Sequence, residues 1–357
     1  MNEKNNNVIE SLYDSILQED LEYISNHYDF SVLFNKSILI TGATGLLGSQ
    51  LVKLFLLINR KKKAKITIYA LIRDAKKGRE VFSSVYNKIN FVYSDIIAFS
   101  TINEPIDYII HGASITISRA FIEKPVETID TAYIGTRNML ELARSNGVKG
   151  FVYLSSMEVF GITDSREISE SDYGYIDILN PRSSYSEGKR ICECLCACYA
   201  KEYKLPIKIA RLVQVVGAGI DYYDTRVPAQ FARSVIENKD IILKTLGKTR
   251  RPSIYTRDAI LGICTVLLKG NSGEAYNIAN KDATYTILEI AEMVAKRIAN
   301  NRIKVIFDLD TAAGYAPDLN LDLNINLIKS LGWKAEIGLE ESYRRMIQSM
   351  QEQNNLC

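Results

Sequence analysis

The stretch Thr41-Gly42-Ala43-Thr44-Gly45-Leu46-Leu47-Gly48 constrains this chain more than any other. It follows the apolar run Ser37-Ile38-Leu39-Ile40 and opens an apolar-rich helical stretch, Ser49 to Ile58. Glycines between a strand and a helix allow a tight turn, close approach of the backbone to a pyrophosphate, and close packing of helix on strand. The helix N-terminus then faces the negative charge. Glycine spacing alone is a weak signal, and the strand–turn–helix setting is what makes it a dinucleotide site, with Gly42, Thr44, Gly45, Leu46, Leu47 and Gly48 as its expected contacts. The second strand, about 65–72, ends at Arg73-Asp74. An acid there suits the ribose hydroxyls of NAD, whereas an arginine suits the 2′-phosphate of NADP. Arg73 comes first, so NADP is expected over NAD, with Asp74 on the ribose as the competing arrangement.

Further strands are expected around 91–93, 108–110 and 151–154, with a helix over 125–145. Strands alternating with helices argue for an α/β fold, a Rossmann-type doubly wound parallel sheet. The expected organisation is a helical N-terminal extension over 1–36, a dinucleotide-binding domain over 37–172, and a smaller C-terminal α/β lobe over 173–357. That lobe is expected to bind substrate, and some of its segments return to the sheet. In the extension, Val8, Ile9, Leu12, Tyr13, Ile16 and Leu17 fall at helical spacing. Helices are also expected over 227–237, 287–298 and 339–350, and the basic run 60–65 reads as a solvated loop.

Charge and rare residues exclude several functions. Lys plus Arg is 44 against 42 for Asp plus Glu, a net charge of +2 over 357 residues. No global field recruits nucleic acid or an anionic membrane, so any phosphate is held locally. The N-terminus lacks an apolar signal-like core, and the longest apolar run, 259–268, is about half of what a membrane crossing needs. A soluble, cytoplasmic protein is expected. Two histidines, His27 and His111, leave little material for a metal centre or a His-dependent nucleophile. Cys192, Cys194, Cys196 and Cys198 lack the usual zinc spacing and fall on a helical stretch, so they read as packing residues with neither metal nor disulfide.

The acid–base chemistry therefore falls to other groups. Ser155-Ser156 end the fifth strand, and Tyr185-Ser186-Glu187-Gly188-Lys189 opens a helix. Tyr and Lys four apart share a helix face, and an ammonium beside a phenol favours the phenolate. A tyrosinate supported by a serine hydroxyl can take a proton from a sugar alcohol while hydride leaves for a nicotinamide.

With these motifs in order, the chain resembles the extended short-chain dehydrogenase/reductases, the nucleotide-sugar epimerases and dehydratases, from about Ser37 to Met350. The resemblance rests on TGATGLLG, Asp95 in Tyr93-Ser94-Asp95-Ile96, His111-Gly112-Ala113-Ser114, Ser156-Met157-Glu158-Val159-Phe160-Gly161 and YSEGK. The segments 251–258, 273–277 and 331–333 also match. It implies that Asp95 and Ile96 flank the adenine and that Gly112, Ala113 and Ser114 lie along the cofactor, with His111 a loop-structure residue. It further implies that Ser156 is the catalytic hydroxyl, Tyr185 the base, and Lys189 the residue that lowers the Tyr185 pKa and holds the nicotinamide ribose.

Glu158, the Tyr185-to-Arg190 segment and Thr225-Arg226-Val227 look most like the UDP-glucuronate decarboxylase branch. Glu158 is then an acid or base near the reacting carbon, and Gln214, Arg226 and Arg251 are substrate contacts. A nucleoside-diphosphate sugar is the expected substrate and a homodimer the expected assembly. A 4-epimerase, a 4,6-dehydratase, an NADPH-dependent keto-sugar reductase and, remotely, a non-catalytic dinucleotide sensor stay open. The chain departs from the branch at Ile72-Arg73, Ala132, Phe160, Gln214 and Val215 to Ala218, around the cofactor and the active-site floor.

Overall fold

The computed structural model describes residues 9–163, 167–309 and 318–355. The first helix, α1 (Ser15–His27), starts later than the extension's apolar spacing suggests, because Asp14 caps it by accepting from Leu17 N at 2.9 Å. Residues 10–13 are turns, Leu12 and Tyr13 are exposed, and Val8 lies outside the described residues. Strand β1 (Ser37–Thr41) leads through the glycine turn into α2 (Leu46–Lys62). Arg60, Lys61 and Lys62 form the last turn of α2 rather than a loop, and Arg60 grips Glu10 at 2.8 Å. There follow β2 (Thr67–Ile72), α3 (Ala75–Phe82), β3 (Asn90–Tyr93), β4 (Tyr108–His111), α4 (Ser118–Glu123), α5 (Pro125–Asn146), β5 (Gly150–Ser156) and α6 (Ser184–Tyr203).

The C-terminal part runs β6 (Ile207–Leu212), β7 (Gln214–Val216), α7 (Val227–Ile236), β8 (Ile241–Leu243), β9 (Arg250–Tyr255), α8 (Thr256–Lys269), β10 (Ala275–Ile278), β11 (Asn280–Thr286), α9 (Ile287–Met293, continued by a π-turn over Val294–Ile298), β12 (Val305–Phe307), α10 (Asn326–Ser330) and α11 (Leu339–Asn354).

Seven parallel strands form the main sheet in the order β10-β6-β5-β4-β1-β2-β3. Chain order reverses between β1 and β4, and ligands of such sheets sit beyond the strand ends at that switch point. Both faces are covered, as parallel sheets require. In β1, Ile38 and Ile40 face one apolar cluster with α2 and α8, while Leu39 faces the other with α5 and α6. Each of these side chains is fully buried, so truncating one to Ala is expected to cost about 2–5 kcal/mol. A third cluster, including Phe231, Leu243, Val294, Tyr343 and Met346, holds the C-terminal lobe with its small sheets β11-β9-β7 and β12-β8. β10 returns from that lobe to pair with β6, so the main sheet is completed by the C-terminal part. Helix α1 packs on α2, α8 and α11, which ties the extension to the body.

Candidate active site

The cofactor wall is made of backbone. Gly42 has φ +67°, and a Cβ there would lie 2.8 Å from the Gly112 carbonyl atoms. A Cβ on Gly48 would lie 2.2 Å from the Gly42 oxygen. Only glycine lets the three segments approach so closely. Gly45 is the N-cap of α2, whose first turn carries no acid, so the first amides of α2 remain available to an anion. This cradle fits a dinucleotide diphosphate, with Gly42, Thr44, Gly45, Leu46, Leu47 and Gly48 around it.

Thr41 fastens this wall from beneath. Its hydroxyl accepts from Gly112 N at 3.2 Å and Ala113 N at 3.1 Å, so its own proton points to His111 Nδ1 at 2.7 Å. That tautomer leaves His111 Nε2–H to donate to Thr136 Oγ1 at 3.1 Å. Burial, with the Lys189 charge adding, depresses the His111 pKa to about 3, so the ring is neutral. His111 sits at the end of β4 rather than in a loop, while Ser114 lies half-buried beyond it.

At the end of β2 the two competing residues separate. Asp74 is committed to capping α3, accepting from Lys76 N at 2.7 Å and Lys77 N at 3.2 Å. Arg73 is exposed and pairs with Asp95 at 3.5 Å. Asp95 also accepts from Ile97 N at 2.9 Å, and Ile96 packs where a Cβ on Gly135 would come within 2.9 Å. Asn138 holds the carbonyls of Ile96 and Ile97 at 2.8 and 3.0 Å.

The reacting groups converge where β5, α6 and β9 meet. Ser156 caps a short 3₁₀ turn (Met157–Phe160) and accepts from Glu158 N at 3.2 Å. Tyr185, in the first turn of α6, hydrogen-bonds Ser156 and stacks on Phe121, with ring centres 4.4 Å apart and planes 10° from parallel. Burial, reinforced by the Glu158 charge, pushes the Tyr185 phenol well above its usual value, while Ser156 and Arg226 pull against it. The Lys189 ammonium is drawn to the Leu154 carbonyl at 2.8 Å and lies 5.7 Å from the Tyr185 ring centre. Burial also lowers the Lys189 pKa to about 8.

Glu158 accepts from Ser186 Oγ at 3.1 Å and acts electrostatically on both Tyr185 and Arg251. Arg251, on β9, donates to Gln214 Oε1 at 3.3 Å. Arg226 caps α7, is gripped by Asp224 at 2.5–3.1 Å, and still reaches the Tyr185 field. The structure therefore brings together Ser156, Glu158, Tyr185, Lys189, Gln214, Arg226 and Arg251.

Sequence reasoning passed over Phe121, Ser186 and the buried pair behind the site. Glu193 meets Arg211 at 2.6 Å and also accepts from Ser155 Oγ at 2.5 Å, while Arg211 donates to Tyr173 and to the Glu170 carbonyl. Glu193 lies two turns past Tyr185 on α6, and a lone acid among cysteines was the available signal. Cys192 and Cys196 are buried against α5, whereas Cys194 and Cys198 are exposed. Among the described residues, no three His, Cys, Asp or Glu cluster as metal ligands, and no helix is long and apolar enough to cross a membrane.

A seven-stranded doubly wound sheet, a glycine cradle, and a Ser, a Tyr and a Lys at the adjoining strand end define the class: an extended short-chain dehydrogenase/reductase. The profile of the NAD dependent epimerase/dehydratase family matches residues 38–279, and the chain belongs to that family. It is 26% identical over 315 residues to UDP-glucuronic acid decarboxylase 1 of Danio rerio, covering 88% of this chain and 72% of that protein. It is equally 26% identical over 362 aligned residues to dTDP-D-glucose 4,6-dehydratase of Dictyostelium discoideum, covering 88% and 81%. In fold it matches UDP-glucose 4-epimerase of Thermotoga maritima with a TM-score of 0.76 at 20% identity, over 90% of this chain and all of that one. The protein is thus an NAD(P)-dependent enzyme of the nucleotide-sugar epimerase/dehydratase type.

Proposed function

We propose that this enzyme carries out a redox-neutral decarboxylation of UDP-glucuronate through a 4-keto sugar. One observation carries the reading: Glu158, held by Ser186, acts electrostatically on both the Tyr185 phenol and the Arg251 guanidinium. A simple 4-epimerase has no step for a carboxylate in that place. Tyr185 takes the proton of the sugar 4-hydroxyl, with Ser156 hydrogen-bonded to both oxygens as it moves. When bound, a nicotinamide dinucleotide would supply the acceptor for the C4 hydride and the means of returning it, with the glycine cradle and Lys189 as the residues that would hold it. The 4-keto group makes the C5 carboxylate a β-keto acid, so the C5–carboxylate bond breaks and carbon dioxide leaves. Glu158 takes up a proton from solvent and passes it to C5 of the resulting enolate. Arg251 and Gln214, with Arg226, hold the nucleotide diphosphate, and Lys189 donates to the nicotinamide ribose.

Two finer points belong to the same reading. NADP is preferred over NAD, because Arg73 is exposed at the end of β2 while Asp74 is engaged as a cap. Arg73→Ala is expected to remove that preference in calorimetric titrations. The enzyme is a homodimer formed through α5 and α6. The outward face of α6 carries Ile191, Cys194, Leu195 and Cys198 at the i, i+3, i+4, i+7 spacing usually turned inward, and Val126 and Ile129 stand exposed on α5. Light scattering should give twice the chain mass, and Ile191→Glu should give the single-chain mass.

The test is incubation with UDP-glucuronate, UDP-glucose, UDP-N-acetylglucosamine and dTDP-glucose, with products followed by mass. Loss of carbon dioxide from UDP-glucuronate is expected. Loss of water from dTDP-glucose, or a mass-neutral isomer, assigns dehydration or epimerisation instead. Tyr185→Phe should abolish turnover by about 10³-fold or more while leaving the fold intact.

A further inference from the structure

We propose that Tyr153, a core residue of β5 three positions before Ser156, is a positioning residue for Lys189: its buried ring is the seat that fixes the ammonium at the cofactor end of the sheet. This deepens the reading of Lys189 as the residue that holds the nicotinamide ribose.

The geometry is direct. The Lys189 nitrogen lies 4.8 Å from the Tyr153 ring centre and 2.8 Å from the Leu154 carbonyl of the same strand. Lys189 is 4% exposed and Tyr153 2%, and neither a carboxylate nor another side-chain acceptor hydrogen-bonds this ammonium among the described residues. A buried cation with a single carbonyl partner is poorly compensated. A ring face at this distance supplies attraction, and a desolvated cation–π contact is among the stronger ones. The Tyr153 hydroxyl plays no part in that attraction. It has no oxygen or nitrogen partner and faces the Cys192 thiol, so the ring rather than the phenol is the working part.

Cys192, Glu193 and Cys196 of α6 act to hold the Lys189 proton, while burial, the largest influence, acts to release it. Tyr185 stands 5.7 Å away on its own helix, and neutral His111 of β4 packs 5.7 Å from the Tyr153 ring. Glu193 is already committed to Arg211 and Ser155. Beside the Leu154 carbonyl, the Tyr153 ring is therefore the nearest stabilising contact of the ammonium among the described residues, closer than the Tyr185 ring.

The test reads Lys189 directly by NMR of protein labelled with ¹³C at the lysine side chains, its resonance assigned by its disappearance in Lys189→Arg. Wild-type protein should titrate at about pH 8. Tyr153→Phe keeps the ring and removes an unpaired hydroxyl, so the midpoint should stay within about 0.2 units. Tyr153→Leu removes the ring, and the midpoint should fall by about half to one unit. Should Tyr153→Leu not fold, Tyr153→Met fills the same space and should move the midpoint the same way. Calorimetry with NAD⁺ should show affinity weakened several-fold in the ring-less variant and unchanged in Tyr153→Phe. An unmoved midpoint in the ring-less variants, or an equal shift in Tyr153→Phe, overturns the proposal. Turnover retained by Lys189→Ala would instead overturn the catalytic reading of Lys189 while leaving its seat intact.

Discussion

The two walls of the cleft are built from different material. On the cofactor wall, positions are set by backbone: Gly42 lies close to both Gly48 and Gly112, and Thr41 ties the two amides that follow β4 to β1. On the substrate wall, positions are set by long charged side chains, Glu158, Arg226 and Arg251, which reach the site from the 3₁₀ turn after β5, from α7 and from β9. A backbone wall tolerates almost no substitution, and its proposed task is the single one of receiving a diphosphate. A side-chain wall is re-made by single substitutions, and there the reaction is chosen.

Perturbing each wall separately should expose this difference. The largest effect is expected from Gly48→Ala, whose Cβ would meet the Gly42 oxygen. Dinucleotide binding should be lost in calorimetry, and stability in urea should fall by several kcal/mol, because backbone cannot move aside as a side chain can. Glu193→Gln should come next. It leaves Arg211 buried without its counter-charge, which is expected to cost about 3–5 kcal/mol in denaturant unfolding and to slow turnover by loosening Ser155 and the adjacent Ser156. Arg251→Ala acts on the substrate wall alone. KM for UDP-glucuronate should rise by about 10- to 100-fold while NAD⁺ affinity stays at the wild-type value.

At neutral pH the smallest effect comes from His111 on the cofactor wall, and it grows only as the solution turns acid. Burial lowers the His111 pKa from 6.5 to about 3, so between those values the unfolded chain binds a proton that the folded one refuses. Stability from this group is full above pH 6.5 and is lost as pH falls towards 3, by about 1.4 kcal/mol per unit. His111→Gln should flatten that part of the wild-type stability-versus-pH curve in chemical denaturation. A variant as steep as wild type there would show that His111 is not its source.

The same contrast explains what could be read in advance. The glycine turn, the parallel strands and the Ser156, Tyr185 and Lys189 set were legible because each depends on short-range spacing: a turn between strand and helix, or residues four apart on one helix face. The contacts of Lys189 were not legible, since the Leu154 carbonyl and the Tyr153 ring lie on a strand more than thirty residues earlier. Sequence favoured Arg73 over Asp74 only by its position, and the role of Asp74 as the α3 cap was not legible there. The buried Glu193–Arg211 pair joins α6 to β6 across eighteen residues, and no local pattern announces such a pairing. The extension's helix began late because a capping aspartate outweighed apolar spacing upstream of it.

One feature of the main sheet bears on how the protein is made. Its last strand in space, β10, spans Ala275–Ile278 and pairs with β6, so three-quarters of the chain must leave the ribosome before that edge is closed. Until then β6 offers a row of unpaired backbone groups to any neighbouring strand. At the usual pace of synthesis this interval lasts several seconds after β6 appears. Nascent chains of this protein therefore carry a sticky border that the finished molecule hides. Truncation anywhere before β10 should yield aggregates rather than a free-standing nucleotide-binding half.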